Sequence, residues 1–141
     1  MKVYLSTAIT RGRREYVEAV QKIHGTLRAL DVDVLNERVT DPNFPYPYTD
    51  RSQSMHEACA WLEQADALIA EATISSTGVG CELMTIQLKG KPVLLLYDAH
   101  FGFRISDWVV HNPDNNVEAL PYRDSNEIEQ IVREFVGRLQ P

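Results

Sequence analysis

Glu82 is the residue whose type and position most strongly suggest chemistry, because it falls on the apolar stripe of a predicted helix. The helix opens at the small residues 75–78, and Val79, Leu83 and Ile86 form its stripe. Glu82 lies three residues after Val79 and four before Ile86, so it should face inward. Because an unpaired buried charge is costly, Glu82 should be either paired or aimed into a cleft at the end of a sheet.

A carboxylate near an anomeric carbon can attack it, form a covalent glycosyl-enzyme and release the leaving group. Glu82 is therefore a candidate nucleophile, or a ligand to sugar hydroxyls. A glutamate that pairs with an arginine or caps an amide is the structural alternative. Glu71 ends the strand before this helix and could orient Glu82 or help to ionise it. A purely structural role fits the position of Glu71 equally well.

Donors for an anion should meet at the same edge of the sheet. Open parallel sheets bind ligands beyond the carboxyl ends of their strands, and here that edge holds residues 6–13, 36–38, 71–80 and 97–106. The first segment carries arginines and leads into a helix, and the third places serines and glycines at another helix start. Helix starts favour anions, so the two clusters suggest a phosphorylated ligand. Serine and glycine also cap helices that bind nothing.

Strand and helix patterns alternate along the chain, which predicts a parallel α/β sheet with helices on both faces. Apolar runs predict strands at residues 3–5, 32–35, 67–70 and 92–96, with a weaker fifth at 117–122. No internal repeat, low-complexity tract or linker interrupts the pattern. Residues 1–141 therefore form one predicted domain.

Two further helices are predicted from apolar residues at helical spacing. The first spans residues 12–30. Its predicted stripe is Val17, Val20, His24, Leu27 and Leu30. In the last helix, Asn126 and Glu129 are placed as a capping box. The stripe of that helix is predicted to be Ile128, Ile131, Val132, Phe135 and Leu139.

Composition and charge argue against several classes of protein. With 20 acidic and 14 basic residues, the net charge of −6 disfavours a general nucleic-acid or anionic-membrane surface. No apolar run approaches the roughly 20 residues of a transmembrane helix, and the start lacks signal-peptide features, so we expect a cytoplasmic protein. The four histidines have no metal-ligand spacing, and we expect no metal or cofactor. Cys59 and Cys81 form no CxxC pair and should be ordinary buried thiols.

Residues 41–50 break the regular pattern with three prolines and three aromatic residues. A loop of this length in a compact domain is usually a lid, a binding loop or a disordered segment. Phe44, Tyr46 and Tyr48 could cover a flat ring. The alternative is a surface excursion that packs its own aromatic side chains.

Four segments, in matching order, carry a resemblance to a known family. They are residues 3–13 (VYLSTAITRGR), 60–66 (AWLEQAD), 70–83 (AEATISSTGVGCEL) and 90–94 (GKPVL). Together they resemble the 2′-deoxynucleoside 5′-phosphate N-hydrolases of the nucleoside 2-deoxyribosyltransferase superfamily. The resemblance implies one Rossmann-like α/β domain with a five-stranded parallel sheet flanked by helices, and a homodimer. It also implies cleavage of deoxynucleoside monophosphates to a free base and 2-deoxyribose 5-phosphate.

The resemblance implies roles for individual residues. Glu82 matches the nucleophilic glutamate, and Tyr4 matches the tyrosine beside the sugar and nucleophile. Ser76 matches a phosphate-binding serine, and Ser106 matches a serine that reaches the phosphate in a neighbouring subunit. The family's I-R-G-G-R loop corresponds to residues 9–13, which read I-T-R-G-R. The candidate substrate-binding residues are Ser6, Ile9, Arg11, Gly12, Arg13, Glu71, Ser76, Gly78, Gly80 and Ser106.

One position departs from the family pattern. The family carries an aspartate, which assists protonation of the departing base, three residues before a W-L pair. Here that position is Ala58. The inward stripe of its helix is predicted to be Met55, Ala58, Cys59 and Leu62. Position 58 should therefore point where the aspartate would have pointed.

Three explanations of Ala58 stay open. The enzyme is slow, because a general acid or base typically contributes roughly 10²–10⁴-fold. Alternatively, Glu71, Glu57 or His56 supplies the proton, although Glu57 is turned about 100° from position 58 and His56 is no better placed. The third explanation is that the alanine was introduced in place of an aspartate to trap the substrate.

Three functions are consistent with these residues. The first is an N-hydrolase of nucleoside 5′-monophosphates, either ribo or deoxyribo. The second is a nucleoside 2-deoxyribosyltransferase, an enzyme that generally accepts unphosphorylated nucleosides. The third is a catalytically inactive nucleotide-binding protein, which Ala58 would explain. A dinucleotide-binding domain fits less well, because no G-x-G-x-x-G follows the first strand.

Overall fold

The computed structural model describes residues 1–9, 16–101, 105–111 and 116–140. Its strands form a single parallel sheet in the order β2-β1-β3-β4-β5. The strands are β1 (Lys2–Thr7), β2 (Asp33–Leu35), β3 (Ala67–Glu71), β4 (Val93–Asp98) and β5 (Val117–Tyr122). The predicted α/β fold with a five-stranded parallel sheet is confirmed, and the weak fifth strand pairs with β4 along its whole length.

Helices cover both faces of the sheet, and strand alternation sorts the side chains between them. The helices are α1 (Val17–Ala29), α2 (Arg51–Gln64), α3 (Thr77–Gln87), α4 (Asp107–Val110) and α5 (Ser125–Leu139), with a 3₁₀ turn at Glu37–Thr40. On β1, Val3 and Leu5 pack into the layer formed with α1 and α5. Tyr4 packs into the opposite layer, formed with α2 and α3. Among the described residues, no helix is both long enough and apolar enough to span a membrane.

The buried face of α1 differs from the predicted stripe. Ile23 is fully buried although the prediction left it out, and Val20 and Leu27 are buried as predicted. His24 is only half-buried, because its ring turns to the side, where Nε2 lies 3.0 Å from Glu37. The helix begins at Val17 among the described residues, so the predicted start at residues 12–15 lies outside them.

The predicted capping box of α5 is wrong. The N-cap is Asp124, whose Oδ1 accepts from the backbone N–H groups of Asn126 and Glu127 at 2.8 and 3.0 Å. An aspartate directly before the first helical residue satisfies these otherwise unpaired donors. Glu129 instead pairs with Lys22 at 2.5 Å and with Arg133 at 3.0 Å.

The prediction that both cysteines are buried is also wrong. Cys59 and Cys81 are exposed free thiols. Met55, predicted to lie on the inward stripe of α2, is 60% exposed. The buried face of α2 is narrow and consists of Ala58 and Leu62. Cys59, one position after Ala58, and Met55, one turn before it, therefore remain exposed to solvent.

The loop at residues 41–50 packs its aromatic side chains against each other. The rings of Tyr46 and Tyr48 stack with their centroids 5.2 Å apart, and Phe44 meets Tyr46 edge-on at 5.9 Å. Phe44 is buried, whereas Tyr48 is 83% exposed. This arrangement matches the surface excursion that was the alternative to a lid over a ring.

Candidate active site

Glu82 lies where α3 faces β1, and both of its carboxylate oxygens accept a hydrogen bond. Tyr4 Oη donates to Oε1 at 2.8 Å, and Ser6 Oγ donates to Oε2 at 2.5 Å. Tyr4 and Ser6 are two residues apart on β1, so their side chains leave the same face of the sheet. The half-buried carboxylate is thus held by two hydroxyl groups at the carboxyl end of a central strand.

The helix that carries Glu82 is positioned by its start and its apolar face. Ser76 is the N-cap, and its hydroxyl accepts from the backbone N–H of Val79 at 3.4 Å. Val79, Leu83 and Ile86 are buried against the sheet, as the sequence predicted. Glu82 therefore sits on the edge of this face and points towards β1.

Opposing influences set the ionisation of Glu82. Burial raises the pKa of its carboxyl, and the hydrogen bonds from Ser6 and Tyr4 and the positive charge of Arg38 offset part of that rise. The resulting pKa lies above the ordinary value for glutamate. Burial and then the charge of Glu82 raise the pKa of the Tyr4 hydroxyl well above its usual range, so Tyr4 stays a protonated donor.

Asn36, to which the sequence assigned no role, also contacts Tyr4. Its Nδ2 donates to Tyr4 Oη at 3.3 Å and to the Leu5 carbonyl at 3.0 Å, and its Oδ1 accepts from Arg38 Nε at 3.0 Å. Asn36 follows β2 directly and has a left-handed backbone with φ of 64°. The sequence offered one signal for this role. Asn36 follows a predicted strand directly and belongs to residues 36–38 of the candidate edge, and asparagine is one of the residues that adopt a left-handed backbone.

Arg38 is fixed against α2 on the side that carries position 58. Its Nη1 donates to Glu57 at 2.7 Å, and its Nη2 donates to the Ser54 carbonyl at 3.0 Å. The guanidinium also lies 4.8 Å from the centre of the Trp61 ring. Ser54 and Trp61 lie one helical turn before and after position 58, and Glu57 is its direct neighbour in sequence. The three residues that contact Arg38 therefore surround position 58 on the helix.

Ala58 is buried beside Tyr4 and Leu62, as expected for an inward-facing position. The two nearby candidates for a replacement acid are held by other partners. Glu57 accepts from Arg38 and from Gln53 Nε2, the latter at 3.2 Å. His56 is exposed, with its Nδ1 2.9 Å from the Ser52 carbonyl.

Glu71 does not join this site, which corrects the expectation that it orients or helps to ionise Glu82. In the register of β1 and β3, Glu71 pairs with Thr7, whereas Ser6 pairs with Ala70, so Glu71 leaves the opposite face of the sheet. It is 1% exposed and accepts from the Tyr122 hydroxyl at 3.1 Å and from the Thr73 hydroxyl. Burial raises the pKa of the Glu71 carboxyl to about 7.

Ser76, Gly80 and Ser106 come together around a second feature of this face, a cavity of about 210 Å³. Val79 and Leu83 contribute apolar walls. Gly78 lies at the same helix start, where a Cβ would approach Ser76 Oγ at 3.6 Å. Within one chain, the two serines that the sequence associated with phosphate therefore line one concave surface.

The remaining predicted residues belong to the segment after β1. Ile9 is partly buried and packs on the α1 and α5 side of the sheet. Arg11, Gly12 and Arg13 lie outside the described residues. In the part of the chain that the structure describes, no group of three or more His, Cys, Asp or Glu side chains could hold a metal ion.

Several known proteins are similar to this chain in sequence. The 2′-deoxynucleoside 5′-phosphate N-hydrolase 1 of Methanosarcina mazei is 33% identical over 141 residues, which cover 97% of this chain and 84% of that protein. The 5-hydroxymethyl-dUMP N-hydrolase of Tetraodon nigroviridis is 32% identical, with 96% of each chain covered. No model of a protein family matches the chain.

Solved structures extend the similarity to the fold. A CMP N-glycosidase of Clostridium botulinum aligns with a TM-score of 0.69 at 16% identity, over 95% of this chain and 99% of that one. A 2-deoxyribosyltransferase of Bacillus psychrosaccharolyticus aligns with a TM-score of 0.64 at 21% identity, over 92% and 90% of the two chains. These identities show a shared fold alone. The curated relatives, by contrast, are 32–33% identical to this chain over nearly its full length, which shows that the chain belongs to the 2′-deoxynucleoside 5′-phosphate N-hydrolase family.

Proposed function

We propose that this protein hydrolyses the N-glycosidic bond of nucleoside 5′-monophosphates and that Glu82 is the nucleophile. The observation that carries the proposal is the pair of hydrogen bonds from Tyr4 and Ser6, which leave the Glu82 carboxylate fixed at the carboxyl end of β1. Family membership supports the reaction class. A carboxylate with a fixed direction and a partly desolvated environment is suited to attack on an anomeric carbon.

The reaction proceeds in two displacement steps. One Glu82 oxygen forms a bond to C1′ while the C1′–N bond breaks, and the electron pair of that bond goes to the base. Water then attacks C1′, the ester bond breaks, and the Glu82 carboxylate is regenerated. The water hydroxyl remains on the sugar, the water proton balances the proton taken up by the base, and no redox change occurs.

Arg38 supplies the charge that the departing base needs. Position 58 carries no acid, and the raised pKa of Tyr4 makes that hydroxyl a poor proton donor to a base. Arg38 Nε donates to Asn36 Oδ1 at 3.0 Å, and Asn36 Nδ2 lies 3.3 Å from Tyr4 Oη, so one side chain separates the guanidinium from the Tyr4 hydroxyl. A fixed positive charge stabilises negative charge that develops on the base, which then takes its proton from solvent.

The 5′-phosphate is bound at the start of α3 and by residues of the segment that follows β1 in the sequence. Ser76 and the backbone N–H groups around Gly78 stand at a helix N-terminus, where an anion is favoured. The Gly80 N–H is not among these donors, because it donates to the Ser76 carbonyl at 3.0 Å. Arg11 and Arg13 add positive charge from the sequence segment that follows β1. A phosphate requirement would separate this enzyme from a transferase that accepts unphosphorylated nucleosides.

We further propose a cytoplasmic homodimer that binds no nucleic acid. In this dimer Ser106, which lines a cavity with Ser76 of its own chain, also reaches the phosphate of the neighbouring site. Exposed apolar side chains support an interface, since Met55 is 60% and Trp108 70% exposed. Light scattering should give the mass of two chains, and Trp108→Glu should shift it towards one. A one-chain mass for the unmodified protein at working concentration would exclude the dimer.

The test of the reaction is base release from a panel of ribo- and deoxyribonucleoside 5′-monophosphates and their unphosphorylated counterparts, followed by chromatography. We expect release from phosphorylated substrates only, and a loss of more than about 10³-fold in Glu82→Gln. Glu134→Gln, an exposed carboxylate on α5, is the matched control and should leave the rate unchanged. Full activity in Glu82→Gln would disprove the assigned nucleophile.

An inactive nucleotide-binding protein is the second candidate, favoured by the alanine at position 58, which is 5% exposed. It predicts that nucleotides bind by calorimetry while no base is released, even after Ala58→Asp. Formation of a new nucleotide when a second free base is added would instead indicate a transferase.

A further inference from the structure

We propose that Asn36 is a positioning residue that holds the Tyr4 hydroxyl in the orientation that donates to Glu82. The inference rests on the proposed function, because it concerns the alignment of the proposed nucleophile. Asn36 is 7% exposed and lies directly after β2, the strand beside β1. It is the residue through which the turn after β2 reaches Tyr4.

The direction of the Asn36 amide follows from its partners. Arg38 Nε can only donate, so the Asn36 atom 3.0 Å from it must be the oxygen Oδ1. Nδ2 then faces the Leu5 carbonyl at 3.0 Å, which can only accept. The same Nδ2 approaches Tyr4 Oη at 3.3 Å as a donor.

This direction decides where the single hydrogen of the Tyr4 hydroxyl goes. Because Nδ2 donates to Oη, the Tyr4 hydrogen cannot point back towards Asn36. It is directed to Glu82 Oε1, 2.8 Å away. The hydrogen bonds thus run one way, from Arg38 through Asn36 and Tyr4 to the carboxylate.

The backbone at position 36 is as specific as the side chain. Its φ of 64° and ψ of 38° lie in the left-handed region, which asparagine and glycine adopt more readily than other residues. Asn36→Gly therefore deletes the amide without straining the backbone. Asn36→Asp keeps the shape, but places an acceptor where Nδ2 donates and draws the Tyr4 hydrogen away from Glu82.

Titratable side chains from two elements, the turn after β2 and helix α2, lie near Tyr4 and Glu82. Among the described residues, Arg38 from the turn after β2 acts on both Tyr4 and Glu82, and Cys59 from α2 acts on Tyr4. Glu57 fixes Arg38 at 2.7 Å. Asn36→Gly also removes the acceptor of Arg38 Nε, but Glu57 and the Ser54 carbonyl still hold the guanidinium. The comparison with and without the Tyr4 hydroxyl therefore isolates the effect of the amide on Tyr4 from any effect on Arg38.

The experiment is a double-mutant cycle of Asn36→Gly and Tyr4→Phe, read by kcat, KM and the pH profile of base release. We expect Asn36→Gly to lower kcat by about 3- to 10-fold, the equivalent of one hydrogen bond, with KM unchanged. The acidic limb should move to higher pH. In the Tyr4→Phe background the same change should have less than about a 2-fold effect. Asn36→Asp should lose more activity than Asn36→Gly.

The matched control is Asp31→Gly, which replaces an exposed residue that also has a left-handed backbone, with φ of 54°. It should leave kcat and the pH profile unchanged. Equal losses from Asn36→Gly with and without the Tyr4 hydroxyl would overturn the proposal. A lower melting temperature with unchanged kcat and pH profile would also overturn it, because Asn36 would then be a structural brace only.

A readout without turnover separates failure of this inference from failure of the proposed function. The Glu82 carboxyl can be followed by ¹³C NMR as it titrates in the four proteins of the cycle. Its midpoint should rise in Asn36→Gly, because the ionised form loses an aligned donor, and should not rise further when Tyr4 is already phenylalanine. If these midpoints shift as expected but no base is released, the proposed hydrolase activity is refuted and the role of Asn36 stands. If base is released but the midpoints do not shift in this way, the role of Asn36 is refuted and the activity stands.

Discussion

Glu71→Gln tests whether the second buried carboxyl of the sheet is a structural group kept apart from the site. Glu71 faces the α1 and α5 side, 1% exposed, and accepts hydrogen bonds from Thr73 and Tyr122. Glutamine keeps the shape and one oxygen acceptor for these donors, replaces the other carboxyl oxygen with an NH₂ group, and cannot ionise. The substitution should therefore alter the dependence of stability on pH rather than the packing.

The magnitude follows from the difference between two pKa values. The pKa of the Glu71 carboxyl is 4.5 in the unfolded chain, and burial raises it to about 7 in the folded protein. Between these values only the unfolded chain releases its proton, so the free energy of unfolding falls as the pH rises. Above pH 7 the full loss persists, and it amounts to about 3 kcal/mol. Glu71→Gln should remove this loss, equalling the wild type near pH 4 and exceeding it by about 3 kcal/mol at pH 8.

The assay is urea denaturation of both proteins at each pH from 4 to 8, with Glu134→Gln as an exposed control. The difference between wild type and Glu71→Gln should open between pH 4.5 and 7 and then stay constant. Because the other titrating groups are common to both proteins, they cancel in this difference. Parallel stability curves for wild type and Glu71→Gln would refute the reasoning, since the folded carboxyl would then ionise as easily as the unfolded one.

Three shorter predictions concern the opposite face. Tyr4→Phe should lower kcat by about 10-fold and move the acidic limb of the pH–rate profile upward, because a lost donor raises the pKa of Glu82, which must be ionised to attack; an unchanged limb would show that the hydroxyl does not act on the carboxylate. Ala58→Asp should raise base release by up to roughly 10²-fold while lowering the melting temperature, because an acid enters a position 5% exposed, and base release by chromatography together with thermal unfolding would measure both. Cys59 and Cys81 should both react with a colorimetric thiol reagent in the folded protein, and fewer than two fast thiols would contradict their exposure.

The fold and the direction of Glu82 could be predicted because both depend on local periodicity. Val79, Leu83 and Ile86 define a helical face whatever that helix packs against, and Glu82 inherits its direction from them. The five strands follow from short apolar runs in the same way. The prediction of the α5 start failed because Asp124 and Asn126 are both good caps, and the two possible helix starts differ by only two residues.

Residues whose role depends on pairs of distant elements could not be predicted. Alternation places Glu71 with Ile69, but the sequence does not say which face of the sheet α3 covers. Asn36 reaches Tyr4 only because β2 lies beside β1. The exposure of Cys59 depends on how narrowly α2 meets the sheet, and no periodicity within α2 reveals that width.

The donors to Glu82 stand on a central strand and not on a loop, and this has a consequence for recognition. Alternate residues of β1 are held at a fixed spacing by strands on both sides, so the two hydroxyls cannot move apart to follow a ligand. The cost of ordering them is met when the chain folds, before any nucleotide arrives. The position of the carboxylate therefore does not adjust to the ligand. A sugar whose anomeric carbon is displaced by about an ångström from this position binds without reacting.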